Sequence, residues 1–467
     1  MVKGFNIHLS MIELAHRVCV SAITTGGEAI KVVVRCRPFI KEEAKTNRNC
    51  IHISGEDSTV VVLDKSGNEG DKPKKKDGGH KFTFDTVFGT ESSQEEVYER
   101  SVKNMIPKLL EGFNSTVFAY GQTSSGKTHT MMGKLGDQSL EGLTPRLTRQ
   151  LFRSIEESPA DTEFVVTLSY MEIYNEQVFD LLPEEEYAAP KSRGRRNRKK
   201  HEDALKIRQG KGGFFVENLA RHIVKSYPEV VKLIRKGSSR RSVAATDFNS
   251  ESSRSHAIVV VYVEHTVQPS VGKKHIVAAK LNLVDLAGSE RFQGKTKDMA
   301  KESTSINQSL STLANVIAVL ASGKKGFVPY RNSALTMLLK DSLGGHASTV
   351  MFANINPCDR HSNETTSTLR YAARAKKIKN RPRVNQDPKN ALLKQLQSEI
   401  EKLKALLEEK DKIIASAEAM KGDAAGSTED VDGGKTDGEA AQEGASDETR
   451  EGRTISIQVE KTSIHIS

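Results

Sequence analysis

Hydrophobic and polar positions change rhythm several times along this chain. From about residue 28 to 380, short apolar runs alternate with stretches whose apolar residues recur every three or four positions. That alternation predicts an α/β core, with strands buried between helices. "AIKVVVRCRPF" (29–39) predicts a first strand, and "CIHIS" with "STVVVLD" (50–64) predicts a hairpin. "TVFAY" (116–120) predicts a buried strand leading into a glycine-rich loop, with a helix starting near Lys127. "EFVVTLSYMEIYNEQVFDLL" (163–182) reads as strand, "AIVVVYVEH" (257–265) and "KLNLVDLAG" (280–288) as strands bracketing a turn, and "TVMFANINP" (349–357) as the last strand. Between them, Ile306, Leu310, Leu313, Ile317 and Leu320 have helical spacing over 304–322.

After residue 380 the pattern changes. "RPRVNQDP" (381–388) holds two prolines and predicts an extended segment. Leu393, Leu396, Ile400, Leu403, Leu407 and Ile414 then follow alternating three- and four-residue steps, with Lys410 in the missing slot. That makes about three heptads, near the lower limit for a coiled coil, and predicts a weak homo- or heterodimer through a neck helix at 390–418. The stretch 419–467 is rich in Gly, Ala and acids and predicts a disordered tail.

Charge divides the chain further. The formal net charge is +10, yet residues 422–451 carry ten Asp or Glu against Lys435 and Arg450, so the rest is strongly basic. Such a body favours an acidic partner. "PKSRGRRNRKK" (190–200) concentrates seven basic residues in an interruption with almost nothing apolar. It suits an electrostatic contact, and equally a solvated loop or a nuclear-localisation run. Cys19, Cys36, Cys50 and Cys358 lack CxxC spacing, which argues against a disulfide framework or a zinc site. No apolar run reaches membrane-spanning length. The first residues begin like a signal peptide, but His8, Glu13, His16 and Arg17 interrupt the apolar stretch. A soluble cytosolic protein is the expectation.

The chemistry starts at "GQTSSGKTHTMMG" (121–133). Gly121, Gly126, Lys127 and Thr128 satisfy GxxxxGK[ST], with Gln122, Thr123, Ser124 and Ser125 between the glycines. Glycines let successive N–H groups converge on phosphate oxygens, Lys127 neutralises the terminal phosphates, and Thr128 can ligate Mg²⁺. Two further stretches can sense a γ-phosphate. "NSESSRSH" (249–256) offers hydroxyls and a guanidinium before a strand; "DLAGSE" (285–290) ends a strand with acid, glycine and acid. Asp285 can hold Mg²⁺ through water, the Gly288 amide can bond the γ-phosphate, and Arg254 with Glu290 can close the site and order the attacking water, since phosphoryl transfer depends on positioning and charge.

Together with "VPYRNSALTMLLKDSLGG" (328–345), these stretches resemble the phosphate loop, both switches and the tubulin-facing segment of kinesin motor domains. The resemblance implies a P-loop NTPase-type, mostly parallel central sheet flanked by helices over 28–380. Before it lies an N-terminal extension, 1–27; after it come a neck linker at 381–389, the short neck helix and the tail. It implies ATP and Mg²⁺ as ligands, with Arg35, Pro38 and His129 around the adenine. Ser253 would join Thr128 and Asp285 around the metal, and Ser252 would lie near the γ-phosphate. Asn385 would latch the linker. It further implies a microtubule-stimulated, plus-end-directed ATPase motor of the cytoskeleton, with tubulin as partner and neither nucleic acid nor membrane. The neck resembles that of the kinesins of intraflagellar transport. The sequence also departs from the family. The loop after Glu290 is shorter, and Ala334, Asn332 and Met337 stand where lysine, aspartate and arginine are usual. The shorter loop and Ala334 favour a rival reading, a microtubule tether with little hydrolysis, while the intact Ser252, Ser253, Arg254, Asp285, Gly288 and Glu290 favour the enzyme.

Overall fold

The apolar runs become strands because they can be buried on both faces at once. In "STVFAY", Val117 and Ala119 enter one hydrophobic cluster while Phe118 and Tyr120 enter another. In "KVVVRC", Val33 takes the first side and Val32, Val34 and Cys36 the second. Successive side chains of a strand point to opposite faces, so a continuous apolar run suits a sheet covered by helices on both sides. The computed structural model of the chain describes residues 27–55, 57–63, 79–159, 162–184, 204–210, 212–246, 252–267, 275–290, 297–324 and 326–385. The neck heptads, the acidic tail, the basic run 190–200 and the loop 291–296 lie outside them.

The central sheet contains β1 Lys31–Cys36, β2 Thr86–Phe88, β3 Ser115–Tyr120, β4 Phe164–Tyr174, β5 Gln177–Asp180, β6 His222–Ile223, β7 His256–Val267, β8 His275–Asp285 and β9 Ser348–Ile355. The order is β6-β4-β7-β8-β3-β9-β1-β2, with β5 also paired to β4. The pairings β8·β3, β3·β9, β9·β1 and β1·β2 are parallel. The pairings β6·β4, β4·β7, β7·β8 and β4·β5 are antiparallel. The expected P-loop-type sheet is therefore mixed: the parallel half carries the phosphate loop, and hairpin-linked strands extend it. The register sets Asp285 opposite Ala119 on one side and Ala257 on the other. This places the end of β8, the end of β3 and the start of β7 on one edge, where parallel sheets bind ligands.

Helices cover both faces. Leu143–Glu156 buries Leu143, Leu147 and Leu151 at four-residue intervals. The long helix Lys297–Ala321 begins earlier than its apolar spacing indicated, and buries Leu310, Leu313 and Ile317 as that spacing requires. The stretch 163–182 is a hairpin, not one strand. Its turn residues Asn175 and Glu176 have φ of 53° and 59°. Glu176 tolerates this left-handed position because its carboxylate is held, accepting from Ser333 Oγ at 3.0 Å and the Ala334 amide at 2.7 Å. Ala334 is itself 3% exposed. The residue that stands for a lysine is thus a buried methyl at a helix start.

The chain's ends of this unit meet. Glu28–Ala29 pairs antiparallel with Lys379–Asn380. Beyond it the Arg381 amide donates to Gly345 O at 2.8 Å, and Val384 forms a bridge with Phe113. Asn385 then bonds three ways: its amide to Gly112 O at 3.0 Å, and Nδ2 to Asn114 Oδ1 at 2.6 Å and Ala278 O at 3.0 Å. Among the described residues no helix is long and apolar enough to cross a membrane.

Candidate functional site

The loop after β3 is shaped by backbone geometry that few residues allow. A side chain at Gly121 would collide with the Asn354 carbonyl at the end of β9. Gly126, at φ 96°, turns the chain into the helix Lys127–Met131; an L side chain there would be strained. Ser124 also sits at φ 61°, the kind of local strain found at ligand clamps. Inside the loop, Ser125 Oγ and Gln122 Oε1 are buried without hydrogen-bond partners among the described residues. Lys127 is 7% exposed, and its Nζ donates to Gly121 O at 3.0 Å and Gln122 O at 2.9 Å. Burial lowers its pKa, against the opposing pull of Asp285 and Glu290. Among the described residues the desolvated ammonium meets carbonyl dipoles and more distant carboxylates, so a polyanion over the loop would satisfy it better.

Asp285, at the end of β8, accepts from Thr128 Oγ1 at 2.6 Å through Oδ2. Its Oδ1 is buried with no hydrogen-bond partner among the described residues. An anionic oxygen so placed beside a threonine hydroxyl suits a hard divalent cation. Buried Arg241 stands behind it, 3.8 Å from Asp285 Oδ2 and 3.5 Å from Glu172 Oε1. Arg241 also donates to the Ser255 hydroxyl and carbonyl, at 3.2 and 3.1 Å.

Two segments frame the mouth of the loop. Ser252, Ser253 and Arg254 form one 3₁₀ turn just before β7, with Arg254 half-buried. The Gly288 amide donates to Ser253 O at 2.7 Å, so the residue expected to contact the γ-phosphate rests here on its opposite number. The Glu290 carboxylate caps the loop: Oε2 accepts from the Thr123 amide at 2.7 Å, and Oε1 from the Thr123 hydroxyl.

The three residues expected around the adenine differ in their surroundings. Pro38 and His129 are exposed, but Arg35 is 7% exposed. Arg35 donates to Gln94 Oε1 at 2.8 Å and Thr130 Oγ1 at 3.0 Å, and burial lowers its pKa to about 10. Gln94 Nε2 in turn donates to His129 O at 2.8 Å and meets the His129 ring at 3.1 Å. Partial desolvation of the ring where it packs against Gln94, then Arg35, lowers the His129 pKa. Arg37 donates to Ser124 O at 2.5 Å and pairs with Glu43 at 2.7 Å. That hydrogen bond from Arg37 is the main cause pushing the Glu43 carboxyl down to about 2.

Several residues of the site carried no individual signal. Gln94, Asn354 and Arg241 act across the fold, and single polar residues in helices or strand ends look ordinary. Asn354 Nδ2 donates to Thr130 Oγ1 at 2.8 Å and Gly126 O at 3.4 Å, pinning the loop from β9. His256 lies inside the quoted "NSESSRSH", and only the structure gives it partners.

The chain is similar to known proteins. The model of the kinesin motor domain matches residues 35–378. Kinesin-like protein KIF3C of Mus musculus is 39% identical over 417 residues, covering 83% of this chain and 50% of that protein. The Rattus norvegicus protein of the same name is 40% identical over 418 residues, with the same coverage. The chain thus spans about half the length of the curated relatives it matches. A solved structure of a fast kinesin, reported for its ATPase mechanism and interactions with microtubules, is 37% identical. It superposes with a TM-score of 0.66 over 77% of this chain and 94% of its own.

Proposed function

Because this chain belongs to the kinesin motor-domain family, we propose that it hydrolyses ATP to drive movement along microtubules, toward the plus end. Kinesin motor domains bind ATP with Mg²⁺ and associate with microtubules as a class. The observation that carries the reading is the Gly288–Ser253 contact at the mouth of the phosphate loop. Two segments able to sense a terminal phosphate touch each other within reach of Lys127, Thr128 and Asp285.

The residues divide the work. Backbone amides of Gly121–Thr128 and Lys127 hold the phosphates, and Pro38 and His129 flank the base over the Arg35–Gln94 support. Thr128, Ser253 and Asp285 would hold Mg²⁺, which when bound neutralises phosphate charge. Ser252 lies on the turn that faces the γ-phosphate. The Gly288 amide exchanges the Ser253 carbonyl for a γ-phosphate oxygen, and Glu290 leaves Thr123 to pair with Arg254 and order water. These exchanges replace one set of hydrogen bonds by another, as a two-state switch requires. The helix Lys297–Ala321 relays the change to the linker, a local contact biasing a bistable element. A cytoplasmic, microtubule-associated location follows from this reading.

Stimulated ATPase is the deciding measurement. Microtubules should raise turnover by at least an order of magnitude, and the protein should glide polarity-marked microtubules with minus ends leading. Microtubule binding without stimulation would leave the tether reading in place of the motor.

The linker gives a second prediction. Asn385→Ala removes two side-chain hydrogen bonds, each worth about 0.5–1.5 kcal/mol. Docking should weaken by about 5–150-fold, since 1.4 kcal/mol is tenfold. Gliding should slow severalfold while ATPase stays near the parent's. Unchanged gliding velocity would remove Asn385 from the latch.

A further inference from the structure

His256 joins two elements that the proposed cycle requires to move. It is the first residue of β7 and is 2% exposed. Its Nδ1 accepts from the Ala287 amide at 3.0 Å, and its Nε2 lies 2.9 Å from Ser309 Oγ. An amide can only donate, so Nδ1 carries no proton, and the neutral ring donates from Nε2 to Ser309. Resting on the ATPase reading above, we propose that His256 is a positioning residue that transmits movement of the Gly288 peptide to the helix Lys297–Ala321.

The mechanics follow from what is fixed and what is free to shift. The His256 backbone is anchored in the sheet opposite Ile173, and Arg241 holds the carbonyl and hydroxyl of the preceding Ser255. The ring therefore swings from a fixed base. The Ala287 and Gly288 N–H groups belong to successive planar peptides sharing the Ala287 Cα. When Gly288 turns from the Ser253 carbonyl to a phosphate oxygen, the Ala287 N–H is displaced too, and the imidazole must follow or lose its bond. On the far side the ring holds Ser309, itself 2% exposed, one residue before the core leucine Leu310. Breaking either bond would strand a buried polar group, which costs more than an exposed one. The pair of bonds therefore behaves as a rigid strut. Burial, with the positive charges of Arg241 and Lys127, pushes the imidazole pKa down to about 3. The ring stays neutral at working pH, and the donor–acceptor polarity of the strut does not reverse.

The test uses the full chain with Ser309→Ala, which deletes the acceptor with little change of volume, and His256→Asn, which keeps an acceptor near Ala287 but cannot reach Ser309. Hydrogen exchange of residues 307–321 is measured with and without ATPγS, beside basal and microtubule-stimulated ATPase, the KM for ATP and the melting temperature. In both variants the nucleotide-induced change in exchange should shrink by about fivefold, the equivalent of one hydrogen bond. In Ser309→Ala, basal ATPase and KM should stay at parent values while stimulated kcat drops. A parent-like exchange response in Ser309→Ala overturns the proposal. So does a loss in which basal rate, stimulated rate and melting temperature fall together, because that marks a structural role only. A parent whose helix ignores ATPγS overturns it as well. A parent that shows the exchange response but no microtubule stimulation sinks the motor reading and leaves the strut standing.

Discussion

Glu290→Ala should bind ATP as tightly as the parent, or more tightly, and should stop hydrolysing it. Glu290 is not among the groups proposed to hold phosphate. Its carboxylate is engaged by the Thr123 amide and hydroxyl at the lip of the loop. Removing it leaves Lys127 and the loop backbone in place and releases the Thr123 amide for phosphate. What is lost is the group proposed to close the site with Arg254 and order the attacking water. A positioned acid or base contributes about 10²–10⁴-fold to such a step, so turnover should fall within that range. Because the γ-phosphate then stays in place, the protein should remain tightly bound to microtubules in ATP. Fluorescent-nucleotide binding, single-turnover phosphate release and co-sedimentation measure the three consequences separately. Turnover within a few fold of the parent would remove Glu290 from the catalytic step. Weakened ATP binding with a normal chemical rate would instead make it a structural cap on the loop.

The sequence carried those features of this site whose determinants are local. Strand β3, its glycine turn and the helix at Lys127 follow one another within a short segment, and each announces itself by an apolar run, a glycine or the phosphate-loop spacing. Asp285 was legible for the same reason, as the acid ending a buried strand. The Glu176 turn was not. A hairpin with Asn-Gly at its tip is recognisable, whereas Asn175-Glu176 has glutamate at positive φ, a choice stabilised by Ser333 and Ala334 far along the chain. Arg35 shows the same limit from another side. The family resemblance puts it beside the adenine, and its side chain donates to Gln94 and Thr130. It connects to His129 through Gln94, a residue that sequence gives no reason to choose. Long-range polar contacts of this kind depend on which strand ends the topology brings together, and the mixed sheet order was not deducible from apolar pattern. The resemblance points to Asn385, whereas its contacts with Asn114 and Ala278 depend on the fold and have no signal in the sequence.

Lys127→Met should abolish nucleotide binding while leaving the nucleotide-free fold as stable as the parent, or more so. The lysine is buried, and its ammonium faces two carbonyl oxygens of its own loop. Burial lowers its folded-state pKa below the ordinary 10.5. A lysine shifted this way destabilises the fold wherever the unfolded chain carries it charged. The cost is complete below the folded-state pKa, shrinks as pH rises from there to 10.5, and vanishes above. At neutral pH, well below 10.5, the cost is present. Methionine has similar length and no charge, so it removes that cost and fills the same space. Phosphate binding changes the balance, because charge-assisted hydrogen bonds contribute about 1.5–3 kcal/mol each. Two such contacts missing amount to about 10²–10⁴ in affinity, at 1.4 kcal/mol per tenfold. The readout is the melting temperature with and without Mg-ATP. At about 100 times its dissociation constant a ligand adds about 2.7 kcal/mol to the folded state, so the parent should melt several degrees higher with nucleotide. Lys127→Met should show no such shift at that concentration, from a starting point equal to or above the nucleotide-free parent. A parent-like shift in the variant would mean that the loop holds phosphate by its amides alone. A large drop in the nucleotide-free melting temperature would make Lys127 a structural pin, its two carbonyl contacts outweighing the cost of burying its charge.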